Sequence, residues 1–183
     1  MKAVFIGRFQ PFHQGHKNVV DQYRGEFEDF CIVIGSADEE DTEDNPLSFE
    51  ERRAVIHECF PDLEVLGVKD EEKTDEGNQE WVEKIEEKTQ ADAVISQNPL
   101  VKDIVKDLSD LELIEQDMHD PEVYSGTAIR RRIKSGEEWR YLTPECAKEK
   151  LEELAEKIKE SGINYDFEPG WKRENAYHGT GEK

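Results

Sequence analysis

Cysteine is scarce in this chain of 183 residues, and no apolar run approaches the length of a membrane span. The three cysteines, Cys31, Cys59 and Cys146, are odd in number and lack any C-x-x-C spacing. They read as small buried hydrophobes in a reducing cytosol. A membrane helix needs about 20 consecutive apolar residues. Their lack, together with an N-terminus that carries no signal peptide, predicts a soluble, cytoplasmic protein. Cationic residues are also few: 24 Lys plus Arg stand against 45 Asp plus Glu, for a net charge of -21. That balance excludes a general role on DNA, RNA or anionic membranes, because the summed field repels them. The acidic surface has two readings, plain solubility and adaptation to high intracellular salt, and composition leaves both open.

Acidic residues are missing from one place in particular. None occurs in the first 20 positions, where composition alone would put about five. Within that stretch, the apolar run Ala3-Val4-Phe5-Ile6 empties into Gly7-Arg8-Phe9-Gln10-Pro11-Phe12-His13-Gln14-Gly15-His16. A buried strand thus delivers an arginine, two histidines and glycines to the start of a helix. Free N–H groups and the positive end of the helix dipole make such a place a natural anion site.

Strand-like and helix-like segments alternate along the rest. Lys2–Ile6, Phe30–Gly35, Leu63–Val68, Ala93–Ser96 and Leu111–Ile114 predict strands. Helices are predicted over His13–Tyr23, from the capping box Ser48-Phe49-Glu50-Glu51 to about Cys59, over Gln79–Lys88, and from Pro99 toward Leu108. A short basic helix capped by Ser125 or Thr127 runs to Lys134, and Thr143-Pro144 opens a last helix to about Glu160. This rhythm predicts a single α/β domain with a parallel sheet covered by helices. Ligands of such sheets sit at the carboxyl ends of the strands. The opening motif, Gly35-Ser36 and Ser96-Gln97-Asn98 should therefore converge. The acidic run Asp38–Asp44 matches no metal-ligand spacing and reads as a solvated loop. The tail Asp166–Lys183 reads as a loose segment, or one packed on a neighbouring subunit through Trp171 and Tyr177.

His13 and His16 fall about one helical turn apart on one face. Gly15 between them would let a ligand approach the backbone. The pair fits phosphate donors best; as metal ligands it lacks further partners at recognisable spacing. A second basic element, Tyr124 to Lys134, holds Arg130, Arg131, Arg132 and Lys134 with no acid. Ser125, Gly126 and Thr127 stand at its helix start, and Arg130 in the first turn suits phosphate through its forked donors. Arg131 and Arg132 point elsewhere and read as surface or inter-subunit residues. Trp81 lies at helical spacing with Val82 and Ile85, which on residues alone leaves core and ligand roles both open.

Gly-Arg-Phe-Gln-Pro-Phe-His-x-Gly-His, then Asn45-Pro46-Leu47-Ser48 with Glu51-Arg52, then Ser96-x-Asn98-Pro99, then Tyr124-Ser125-Gly126-Thr127-x-Ile129-Arg130-Arg131-Arg132 resemble the archaeal nicotinamide-mononucleotide adenylyltransferases. These belong to the H-x-G-H nucleotidyltransferase superfamily. The resemblance implies a Rossmann-like nucleotidyltransferase domain over residues 1–165, with C-terminal helices. It implies transfer of AMP from ATP to nicotinamide mononucleotide, with Mg2+ accompanying the ATP, by a ring-like homo-oligomer, a hexamer. By position, His13 and His16 would hold the ATP phosphates, within a loop whose Gly7, Phe9 and Gly15 line the nucleotide. Arg8 would reach the reacting centre, and Ser125, Thr127 and Arg130 the β- and γ-phosphates. Arg52, Asn78 and Trp81 would serve the mononucleotide, with the indole stacked on its ring. Rival readings are another acceptor in the same superfamily, a nucleotide sensor without turnover, and a metal-dependent hydrolase using His13 and His16. The helix after Trp81 is more acidic than the family pattern, the tail has no family role, and no fused hydrolase domain is expected.

Overall fold

The first strand hides both of its faces. Ala3 and Phe5 enter one hydrophobic core, Val4 and Ile6 another, as the two-residue period of a strand between two layers requires. The computed structural model describes residues 1–116 and 120–162. It builds five strands: β1 (Lys2–Gly7), β2 (Asp29–Ile34), β3 (Glu64–Gly67), β4 (Ala93–Ser96) and β5 (Glu112–Glu115). They form one sheet in the order β3-β2-β1-β4-β5, parallel throughout.

Helices cover both faces. α1 (Gln14–Tyr23), α2 (Phe49–Cys59), α5 (Gly126–Ser135) and α6 (Lys148–Glu160) pack Val20, Ile56, Ile129 and Leu151 against Phe5, Ile32 and Ile95. α3 (Asp75–Thr89) and α4 (Pro99–Leu108) pack Trp81, Ile85 and Ile104 against Val4, Val33 and Val94. The chain leaves β1 toward β2 and later returns on its other side to build β4. The strand order therefore reverses between β1 and β4, where a crevice opens above the carboxyl ends. Among the described residues, no helix is long and apolar enough to cross a membrane.

Local chemistry sets the helix starts. Ser48 and Glu51 cap α2 reciprocally, and Asn98 with Pro99 opens α4. The last helix begins later than its pattern predicts, because a 3-10 turn over Glu145–Ala147 takes the first residues after Pro144. The expectations for the tail, including Trp171 and Tyr177, lie outside the described residues.

The expectation for the cysteines is overturned. Cys59, at the end of α2, and Cys146, in the turn before α6, form a disulfide with Cα atoms 5.1 Å apart. Cys31 alone is free, buried in β2 with its thiol pushed up to about 11 by burial. An odd count leaves at least one thiol unpaired but does not forbid a pair. The two partners are 87 residues apart in sequence, and only the fold brings the turn onto α2. Closing a loop of that size removes on the order of 4–5 kcal/mol of chain entropy from the unfolded state in the entropic account.

Candidate active site

A cavity of about 470 Å³ occupies the crevice above β1 and β4. Gly35, Ser36, Gln97 and Asn98 line it beside the opening motif, so the predicted convergence of strand ends is realised for these residues.

His13 and His16 meet as a stacked pair, with ring centroids 3.6 Å apart. His13 is the residue that caps α1, and its Nδ1 accepts the amide hydrogen of Gly15 at 3.1 Å. The His13 amide donates in turn to His16 Nδ1 at 3.2 Å. This is a capping box written with imidazoles in place of serine and glutamate. With both Nδ1 atoms accepting, each neutral ring carries its proton on Nε2. Burial pushes the His13 imidazolium down to about 4, and burial with the neighbouring His13 pushes His16 well below its ordinary range. Gly15 has a tighter role than ligand approach: a Cβ there would stand 2.9 Å from the His13 ring.

Phe9 holds the loop from inside. It takes a left-handed backbone, φ 54°, and packs edge-on against His16 at 4.7 Å between centroids. A buried aromatic in that region costs on the order of 1–2 kcal/mol, a strain that marks functional loops. Gly7 accommodates the same ring, since its Cβ would lie 2.9 Å from it.

Ser125 caps α5, its hydroxyl accepting from the Ala128 amide at 3.1 Å. Arg130 stands one position beyond the first turn of α5 and is 5% exposed. Its guanidinium donates to the Gln10 carbonyl at 2.7 Å and to Thr127 Oγ1 at 3.4 Å, and lies 3.5 Å from Asp44. A Cβ on Gly126 would come within 2.7 Å of the same carbonyl, so glycine permits this approach of the α5 start to the opening loop. Burial lowers the affinity of Arg130 for its proton, and the nearby Arg8 adds to that. Arg8 is exposed at the cavity wall.

Asn78 and Trp81 reach the cavity from α3. Trp81 is 9% exposed within the apolar core and also lines the cavity, a position compatible with both of its sequence readings. Arg52 departs from expectation. It is fully buried behind the wall, bonded to main-chain carbonyls, and does not line the cavity. Arg132 pairs with Glu137 and stacks on Tyr141 away from the site.

Some lining residues carried no sequence signal. Asp70, Glu71 and Lys73 come from the polar β3–α3 loop, and Leu100, Val101 and Ile104 from α4. Gln10 is 2% exposed and clasps the main chain of Leu47 with both ends of its amide. The acidic run is more than solvated: Lys157 faces Glu40 and Asp41, Lys134 faces Glu43, and Arg130 faces Asp44.

Residues 4–132 match the cytidylyltransferase-like family model. A nicotinamide-nucleotide adenylyltransferase of Methanococcus aeolicus is 36% identical over 150 residues, covering 79% of this chain and 84% of that relative. The same-named protein of Halobacterium salinarum is 29% identical over 154 residues, covering 84% and 86%. In three dimensions the chain is similar to a bifunctional NMN adenylyltransferase/ADP ribose pyrophosphatase from Francisella tularensis. The TM-score is 0.71 at 18% identity, over 88% of this chain and 52% of that one, so the chain spans about half of that protein's length. A structure of the Francisella enzyme complexed with AMP and a manganese ion gives a TM-score of 0.67 at 18% identity, over 87% of this chain and 50% of that one. With motif order, sheet topology and relatives in agreement, this chain belongs to the cytidylyltransferase-like family and, within it, to the nicotinamide-nucleotide adenylyltransferases.

Proposed function

We propose that this chain transfers AMP from ATP to nicotinamide mononucleotide, giving NAD and pyrophosphate. The observation that carries the reading is the meeting of Arg8 and Arg130 with the stacked histidines at the helix start in one cavity. That is a built site for an extended polyanion.

The chemistry asks little of the protein beyond position and charge. A phosphate oxygen of the mononucleotide, ionised at neutral pH, attacks the α-phosphorus of ATP in line. The new P–O bond forms as the bond to the β-phosphate oxygen breaks, and pyrophosphate leaves with the electron pair. The two Nε2–H groups of His13 and His16 and the Arg130 fork would hold the leaving phosphates, with Ser125 and Thr127 hydroxyls beside them. Arg8 would draw the attacking and leaving anions together. Gly7, Phe9 and Gly15 shape the loop that grips the nucleotide. Trp81 would stack on the nicotinamide ring, and Asn78 would meet its carboxamide. Magnesium would enter on the triphosphate and keep several waters. Asp70 and Glu71 are the only carboxylates among the described cavity residues, a donor set suited to a cation held chiefly by phosphate. A homo-oligomer, a hexamer by resemblance, completes the proposal, and light scattering after size exclusion tests it.

The test of the reaction is NAD formation from nicotinamide mononucleotide, ATP and magnesium, in buffers from low to multimolar KCl. NAD is the expected product, with a rate that rises with salt if the acidic surface is an adaptation to it. ATP binding without NAD at any salt would sink the proposed acceptor.

A further inference from the structure

We infer that Arg52 is a positioning residue, acting through the main-chain carbonyls it gathers and touching neither nucleotide. The inference rests on the proposed reaction for its kinetic arm only. Its first support is a count of donors. A guanidinium has five N–H bonds, and each finds a carbonyl here. Nε donates to Ser48 at 3.2 Å, Nη1 to Arg8 at 3.1 Å and Gly35 at 2.9 Å, and Nη2 to Ser36 at 3.0 Å and Glu39 at 3.4 Å. No donor is left for a phosphate. The side chain is 0% exposed, so a ligand could reach it only by dismantling this arrangement.

The second support is what those carbonyls belong to. Arg8 follows β1, Gly35 and Ser36 follow β2, Glu39 lies in the acidic loop, and Ser48 caps α2. One planar group thus pins the carboxyl ends of two neighbouring strands from behind the cavity. The Arg8 side chain lines the cavity from one pinned residue. Ser36, another, takes a left-handed backbone, φ 48°, and its hydroxyl donates to Asp70 on the cavity wall at 2.6 Å. The third support is cost. Burying a guanidinium without a carboxylate bonded to it is expensive, and burial with Arg8 nearby pushes its titration down to about 10. A charge kept at that cost, away from the ligand, has its use in geometry.

Arg52→Lys tests this, because an ammonium offers fewer hydrogens and no fork. Positioning predicts a kcat lowered about a hundredfold, as for a displacement near 1 Å, with both KM values little changed. In an Arg8→Ala background the same substitution should lower kcat hardly further. A rise in mononucleotide KM alone, or an equal loss in both backgrounds, overturns the inference. The wild-type protein supplies a second test should the variant fail to fold. The Arg52 Nε–H resonance should be protected from solvent exchange in the free protein and unmoved by mononucleotide. Fast exchange, or a shift on adding mononucleotide, would assign Arg52 to direct contact. An enzyme that makes no NAD removes the proposed reaction and leaves this resonance to decide the role of Arg52.

Discussion

His16 accepts the main-chain hydrogen of His13, and the two rings stack 3.6 Å apart. Capping and ligand binding are thereby assigned to different nitrogens of the same side chains. Nδ1 is committed to the helix start, so Nε2 is the donor that remains.

The pair makes folding stability depend on pH. The fold lowers His13 to about 4 and His16 well below its ordinary 6.5. Between these values and 6.5 the unfolded chain binds protons that the folded chain refuses. Stability is therefore full above pH 6.5 and is lost as pH falls toward 4. His13 alone should cost about 2 kcal/mol at pH 5. Urea melts at pH 7.5 and 5.0 measure this. His13→Asn, which keeps an acceptor for the Gly15 amide and does not titrate, should flatten the slope; an unchanged slope would remove His13 as its source.

His16→Ala should lower kcat by a hundredfold or more, the order expected for a lost preorganised donor. Its stability cost should be near that of a lost cap, about 1 kcal/mol. Rates near wild type would take His16 out of the chemistry.

Trp81 has a double position that dictates the choice of variant. Trp81→Ala opens the core as well as the site, at about 3–5 kcal/mol. Trp81→Phe keeps an aromatic face, so mononucleotide affinity should fall less than with alanine. Loss of stacking in Trp81→Ala should weaken mononucleotide binding by about 1–3 kcal/mol, with ATP binding affected less. Equal losses for the two substrates would assign Trp81 to packing alone.

Asp44 is largely exposed and faces Arg130 at 3.5 Å, so it competes with any anion for that guanidinium. Exposed pairs are worth about 0.2–1 kcal/mol. Asp44→Asn should therefore lower the KM for ATP by up to about fivefold at low ionic strength, and the advantage should vanish in molar KCl. Identical KM values at low salt would show that Asp44 does not occupy Arg130.

Much of the scaffold was readable before the structure. Ala93–Ser96 is the observed β4, Ser48 and Glu51 form the observed box, and Pro99 begins α4. These features rest on local rules: two-residue periodicity, capping and the missing proline N–H. What stayed hidden depends on distant loops. Arg52 is buried by carbonyls contributed at residues 8, 35, 36, 39 and 48, and no periodicity encodes such a gathering. Gly15 suggested room for a ligand, whereas the room is taken by the ring two residues earlier. Asp70 reaches the cavity wall from the polar β3–α3 loop, where no motif or spacing marks it. A carboxylate in a site for anions is legible only once Ser36 is seen holding it.

The Cys59–Cys146 link also determines how the chain would respond to a protease. The exposed Lys69-Asp70 segment of the β3–α3 loop lies between the two cysteines. A single cut there would leave two fragments still joined covalently, with every strand and helix retained. On a gel without reductant the nicked protein should still run as one piece, and with reductant as two. The disulfide thus makes an exposed loop expendable as a backbone connection.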